Sequence, residues 1–159
     1  MARLMYWLIG VAFAAILAFS PAAPRAQSPL SFAKSSVVIV TKSGRHKFEV
    51  ELAENEAQRE YGLMFRREMA PDAGMLFDYE VPQRTAMWMK NTILPLDMLF
   101  IDARGRIINV VERAIPGSLT VIPSRGKILG VLELNAGTVA HLGIKTGDTV
   151  EHKIFGNVK

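Results

Sequence analysis

The sequence predicts an α+β domain dominated by short antiparallel strands, closed or partly closed into a β-barrel with two short helices. Three observations predict it. About eight short apolar runs of strand character are separated by Gly-, Pro- and Asn-containing turns. Only two segments carry helical spacing and helix-terminating signals. Strands this short and numerous tend to close on themselves or pack as a sandwich.

The elements follow in chain order. Val37 to Thr41 is a β-branched run and reads as a strand. Lys42-Ser43-Gly44-Arg45 turns the chain. The next strand alternates Phe48, Val50 and Leu52 with Lys47, Glu49 and Glu51, so one face is buried and one is wet. A helix follows. Asn55 is its cap and Gln58 stands three residues on, as a capping box requires. Ala57, Tyr61 and Met64 fall on its inward face, and Gly62 ends it. Pro71-Asp72-Ala73-Gly74 is a turn, Met75 to Phe77 a short strand, Glu80 to Gln83 a loop, and Thr85 to Met89 a strand. Lys90 to Pro95 is a loop. Asp97 to Ile101 and Arg106 to Val111 form a hairpin. Ala114 to Ser124 is irregular, with two prolines and a glycine. Ile128 to Leu134 is a strand, Thr138 to Leu142 a short helix, and Thr149 to Phe155 the last strand. Val50-Glu51-Leu52 and Leu132-Glu133-Leu134 each lead into a helix ending at a glycine, a faint repeat compatible with a pseudo-twofold relation.

Residues 1–26 differ from the rest. Arg3 is the only charge before Arg25, and Leu4 to Phe19 is apolar apart from Gly10. Ser20-Pro21-Ala22-Ala23 then supplies helix-breaking and small residues. This order is that of a secretory signal peptide, with cleavage after Ala22 or Ala26. The alternative is a retained anchor, against which the 16-residue run is short for a bilayer span of about 20 residues. Residues 27–36 read as a linker and 37–159 as a single domain. The predicted location is exported, periplasmic or secreted, with the membrane a partner only if the signal is kept.

Cleavage after Ala22 removes one base, Arg3, and no acid, so the net charge falls from +4 to +3. The remaining charges are interspersed by sign. No basic stripe of the kind nucleic-acid binding requires is present. The chain has no cysteine, which excludes disulfides, thiolate metal sites and a cysteine nucleophile. No cofactor motif is present, and none is predicted.

The segment Trp88 to Asp97 packs an indole, an ammonium, an amide, a hydroxyl and a carboxylate into ten residues. Lys90, Asn91 and Thr92 offer donors suited to a carboxylate, sugar or phosphate. Asp97 can accept from a ligand, orient Lys90 or cap the loop, and Trp88 can stack on a sugar face or sit in the core. Glu133 and Asn135 form a second polar pair. Glu133 points away from the face of Leu132 and Leu134, and Asn135 reads as the cap of the second helix. With Arg66, the candidate ligand-binding set is Arg66, Trp88, Lys90, Asn91, Thr92, Asp97, Glu133 and Asn135. The leading reading is a non-catalytic envelope domain that binds a small polar ligand or a glycan. The second is a hydrolase with Asp97 or Glu133 as general base. The third is Cu(I) binding by the thioethers of Met87 and Met89. His46, His141 and His152 all read as solvent-exposed, and no nucleophile or phosphate-loop motif accompanies them.

Three blocks carry a resemblance. They are Gly62 to Arg66 with Asp72 to Phe77, Trp88 to Thr92 with Pro95 to Met98, and Leu132 to Gly137 with Leu142 to Asp148. Together they resemble the DUF192 (UPF0127) family over residues 37–155. The resemblance implies a compact β-rich domain, commonly exported or membrane-tethered. It implies no activity and assigns no catalytic residue.

Overall fold

The structure is a computed structural model and describes residues 30–158. The signal segment expected over residues 1–26, and the first three residues of the expected linker, lie outside the described residues.

Seven strands form one sheet in the order β6 (Ile107–Ala114), β5 (Leu96–Ile101), β8 (Ile128–Asn135), β3 (Ala73–Gln83), β2 (Gly44–Ala53), β1 (Ala33–Thr41), β9 (Thr149–Glu151). β1 (Ala33–Thr41) and β2 (Gly44–Ala53) make a hairpin in register from Ala33↔Leu52 to Thr41↔Gly44. The β-branched run and the alternating strand that follows it are the cause. β1 starts four residues before Val37, so the end of the expected linker is strand. Ser35 and Ser36 have little strand propensity, but β2 offers them a complete ladder.

β2 passes through α1 (Glu56–Tyr61) to β3 (Ala73–Gln83), which pairs with it in parallel. β3 pairs antiparallel with β8 (Ile128–Asn135), and β8 with β5 (Leu96–Ile101). β5 and β6 (Ile107–Ala114) form the expected hairpin. β9 (Thr149–Glu151) adds to β1, and a 3-10 turn at Lys153–Phe155 follows it. A separate two-residue pair joins β4 (Ala86–Met87) to β7 (Ile122–Pro123).

The sheet is strongly curled, a half-barrel. Its edges meet at one corner, where Val150 N donates to Gly105 O (2.7 Å) and Ile107 N to Asp148 O (2.9 Å). Further boundaries differ from the sequence reading, and β6 runs to Ala114 rather than Val111. β3 runs to Gln83 through an irregularity at which Glu80 takes φ 61°. The strand expected over Thr85 to Met89 is reduced to Ala86–Met87, and the last strand stops at Glu151.

Both faces of the central strands β5 and β8 are apolar, because the curl encloses one and loops cover the other. Val37, Ile39, Leu52, Leu99, Leu132 and Leu134 belong to one core. Met75, Phe77, Met87, Met89, Met98 and Val131 belong to the second, beneath the α1 end and the 87–94 segment. All six residues of β5 are buried for this reason. Met87 and Met89 therefore pack in the interior, and the Met87 sulfur accepts from the Tyr79 hydroxyl at 3.4 Å. Met89 is enclosed and Met87 borders only a narrow cleft, and packing an irregular core accounts for both.

α1 begins as expected, with Asn55 accepting from Gln58 N and the Gln58 side chain accepting from Asn55 N. Gly62 closes it at φ 49°, a conformation unfavourable for any residue with a Cβ. α2 (Thr138–Leu142) does not begin as expected. Asn135 does not cap it: its amide donates to Met69 O and Ala70 O. The cap comes from Asp97, forty residues away in sequence. His152 is also a correction. It is buried, accepts from Ile154 N and bonds Ser35 across the sheet at 2.8 Å. Among the described residues no helix is long and apolar enough to cross a membrane.

Candidate functional site

Partners across a ladder share a face of the sheet. Glu133 on β8 lies opposite Met75 of β3 and Met98 of β5, so it points into the second core, away from Leu132 and Leu134. Its side chain is only 4 % exposed. β3 comes close enough to β8 here that a Cβ on Gly74 would lie 2.6 Å from Glu133 O, which requires glycine at that position.

Among the described residues no donor hydrogen-bonds the Glu133 carboxyl, and no fully enclosed side-chain oxygen lacks a partner, so its oxygens touch the cleft beside them. Lys90 makes no ion pair with it, and its ammonium sits 4.9 Å over the Trp88 ring. Burial pushes the Glu133 carboxyl up to about 8. Burial also raises the Tyr79 phenol, and Glu133 adds to that rise. At neutral pH Glu133 is therefore a carboxylic acid, able to donate one hydrogen bond and accept another. A general base would need the ionised form.

Above Glu133 is a narrow cleft of about 20 Å³ lined by Tyr61, Met64, Met87, Trp88 and Thr92. Tyr61, Met64 and Trp88 continue upward as the walls of a wider groove of about 410 Å³, bordered by Glu60, Lys90 and Asn91. The groove lies between α1 and the 88–92 segment. Tyr61 and Ala57 line it and are not core residues, contrary to the helical-face reading: α1 has no buried residue at all. The helix is too short to bury a face, and Leu63, just beyond Gly62, enters the core instead.

The 88–92 segment is fixed by its own backbone. Thr92 N donates to Met89 O, Gly117 N to Thr92 O, and Phe65 N to Asn91 O. Thr92 is buried, with its hydroxyl on Lys90 O at 3.3 Å. Asn91 (φ 56°) and Phe65 (φ 63°) both occupy the left-handed region, a local strain of the kind found at binding sites.

Three members of the sequence-predicted set lie elsewhere. Asp97 is fully buried. One oxygen accepts from Arg113 N (2.8 Å), the other from Gly137 N and Val139 N (both 2.9 Å), so it neither orients Lys90 nor is free to act as a base. Arg66 forms a bidentate pair with Glu51 and stacks on Phe32 at 5.7 Å. Asn135 is committed to the 69–70 backbone. Trp88, Lys90, Asn91, Thr92 and Glu133 remain gathered at one place. Tyr61 and Met64 join them, and no polar signal in the sequence marked either.

Two crystal structures are similar to the chain. One, from Sinorhizobium meliloti 1021 and described as a candidate transcription regulator, is 52% identical with a TM-score of 0.77. The match covers 80% of this chain and 99% of that one. The other, from Novosphingobium aromaticivorans DSM 12444 and described as a protein of unknown function, is 42% identical with a TM-score of 0.75. That match covers 82% of this chain and 94% of the other. No curated protein matches. The model of the DUF192 family, described as an uncharacterized ACR, matches residues 38–152, and the chain belongs to that family.

Proposed function

We propose that this domain binds a small, largely neutral polar ligand of carbohydrate type in the groove between α1 and the 88–92 segment. One observation carries the reading: a buried carboxyl, without a hydrogen-bond partner among the described residues, at the floor of a cleft that opens into a groove walled by Tyr61 and Trp88. A sugar ring has an apolar face suited to indole and phenol rings, and hydroxyls suited to a neutral acid, an amide and an ammonium. The groove's volume falls in the range of small-ligand sites, roughly 300–1,000 Å³. Work outside the cytoplasm is part of the proposal and rests on the signal-like character of residues 1–26.

The test is a titration of the protein with a panel of neutral oligosaccharides, followed by NMR at the Trp88 indole N–H. Saturable shifts are expected there, with affinity falling about tenfold or more in Trp88→Ala and measurably in Lys90→Ala. A Trp88 resonance unmoved by every sugar, or a Trp88→Ala variant that binds as well as wild type, would remove the reading.

A hydrolytic version is favoured by one observation. Glu133 holds its proton at neutral pH, and a second carboxyl, Glu60, lines the same cleft. Glycoside hydrolysis uses such a pair. In that version Glu133 is the general acid, not the base. Release of reducing sugar by wild type but not by Glu133→Gln would distinguish hydrolysis from binding.

A further inference from the structure

Ten large apolar side chains are exposed among the described residues, and seven of them lie on three segments: 61–65, 88–93 and 115–121. Backbone hydrogen bonds tie these segments together. Phe65 N donates to Asn91 O, Met89 N to Ser118 O and Gly117 N to Thr92 O. Phe65, Ile93, Ile115, Leu119 and Val121 are each more than half exposed. Soluble surfaces rarely concentrate apolar groups in this way without a partner. Trp88, with Lys90 over its ring, adds the amphipathic pairing favoured at a membrane–water interface.

The path of the chain indicates the partner. The described chain starts at Leu30 beside this rim. Ser31 O accepts from the Gln58 side chain (2.7 Å) on α1, and Phe32 lies under Arg66, the residue after Phe65. Ten residues, Ser20 to Pro29, separate this point from the apolar run Leu4 to Phe19. Fully extended they reach at most about 35 Å. Where the apolar run is kept as an anchor, the alternative to cleavage given above, a bilayer holding it is thus within reach of the end of the domain that carries the rim. The β1–β2 turn at Lys42-Ser43 is at the far end of a nine-residue strand, about 30 Å away.

We infer that the rim formed by Phe65, Ile93, Ile115, Leu119 and Val121 docks on a lipid bilayer, with these side chains at the headgroup–acyl boundary. The inference goes beyond the groove reading and does not depend on it. Ile93, Ile115, Leu119 and Val121 line neither the groove nor its cleft.

The chain has no cysteine, so single labels are placed without background. The full chain is reconstituted in phosphatidylethanolamine–phosphatidylglycerol vesicles carrying an acyl-chain nitroxide quencher. A fluorophore is placed at Ile115→Cys, Leu119→Cys or Lys42→Cys, all exposed positions. Emission from the first two is expected to fall about twofold or more, as shallow insertion brings them to the acyl boundary, while that from the third is unchanged. Equal quenching at all three positions, or at none, overturns the inference. Protection of positions 115 and 119 without lipid quenching, together with a doubled mass, assigns the rim to a second copy of the chain and overturns it too.

Discussion

Asp97 and Glu133 are buried acids on neighbouring strands, Asp97 opposite Leu134 and Glu133 opposite Met98, and they face opposite sides of the sheet. Their surroundings differ in one respect. Asp97 accepts three backbone N–H bonds, from the β6 end and the start of α2, and so ties both to β5. Glu133 receives none among the described residues, and the cleft beside it opens upward into the groove. A buried carboxyl with satisfied oxygens is part of the scaffold. One left without donors costs stability whenever it ionises, and is worth that cost where a ligand completes its bonding.

Removing each acid in turn tests this contrast. The larger effect is expected at Asp97. Asp97→Ala leaves three N–H groups without an acceptor, one buried and two part-buried, and at about 1–3 kcal/mol each, moderated by water at the part-buried pair, a loss of about 4 kcal/mol is expected. Denaturant unfolding measures it. A loss under about 1 kcal/mol would mean that water replaces the carboxylate and that the cap is dispensable.

The smaller effect, of opposite sign, is expected at Glu133. Burial pushes its folded-state carboxyl up to about 8, against 4.5 ordinarily. Between these values the folded protein keeps a proton that the unfolded chain releases, so stability falls as pH rises, by up to about 1.4 kcal/mol per unit. Glu133→Gln cannot ionise and escapes the loss. The variant should match wild type near pH 4.5 and exceed it by about 3 kcal/mol at pH 7. Parallel pH profiles for the two proteins would place Glu133 in a solvated or hydrogen-bonded setting and undo the contrast.

What the sequence showed of this architecture divides along sequence distance. The Asn55–Gln58 box, the alternation of β2 and the β5–β6 hairpin depend on residues close in the chain, and each is found where local chemistry puts it. The cap of α2 is not local. Asn135 is the nearest capping residue, yet the N–H groups are taken by Asp97 from β5, and Asn135 is drawn to the 69–70 backbone. His152 read as exposed because nothing nearby predicts Ser35, 117 positions earlier, as its partner. At the site, Trp88, Lys90 and Asn91 were legible as a dense mixed-polarity segment, but Tyr61 was not. Its helical spacing points inward, and only the shortness of α1 turns it toward the groove. Glu133 was legible as facing away from its leucine neighbours. That this second face is also buried, and so perturbs the acid, follows from the covering 87–94 segment.

The most direct measurement is the titration of the Glu133 side-chain carboxyl, followed by its carbonyl carbon resonance in the folded protein and assigned by its loss in Glu133→Gln. A midpoint near 8 is the result required by an acid held neutral at the floor of the groove. A midpoint near the ordinary 4.5 would show that the carboxyl is ionised and solvated at neutral pH, and would contradict the account of the site built on it.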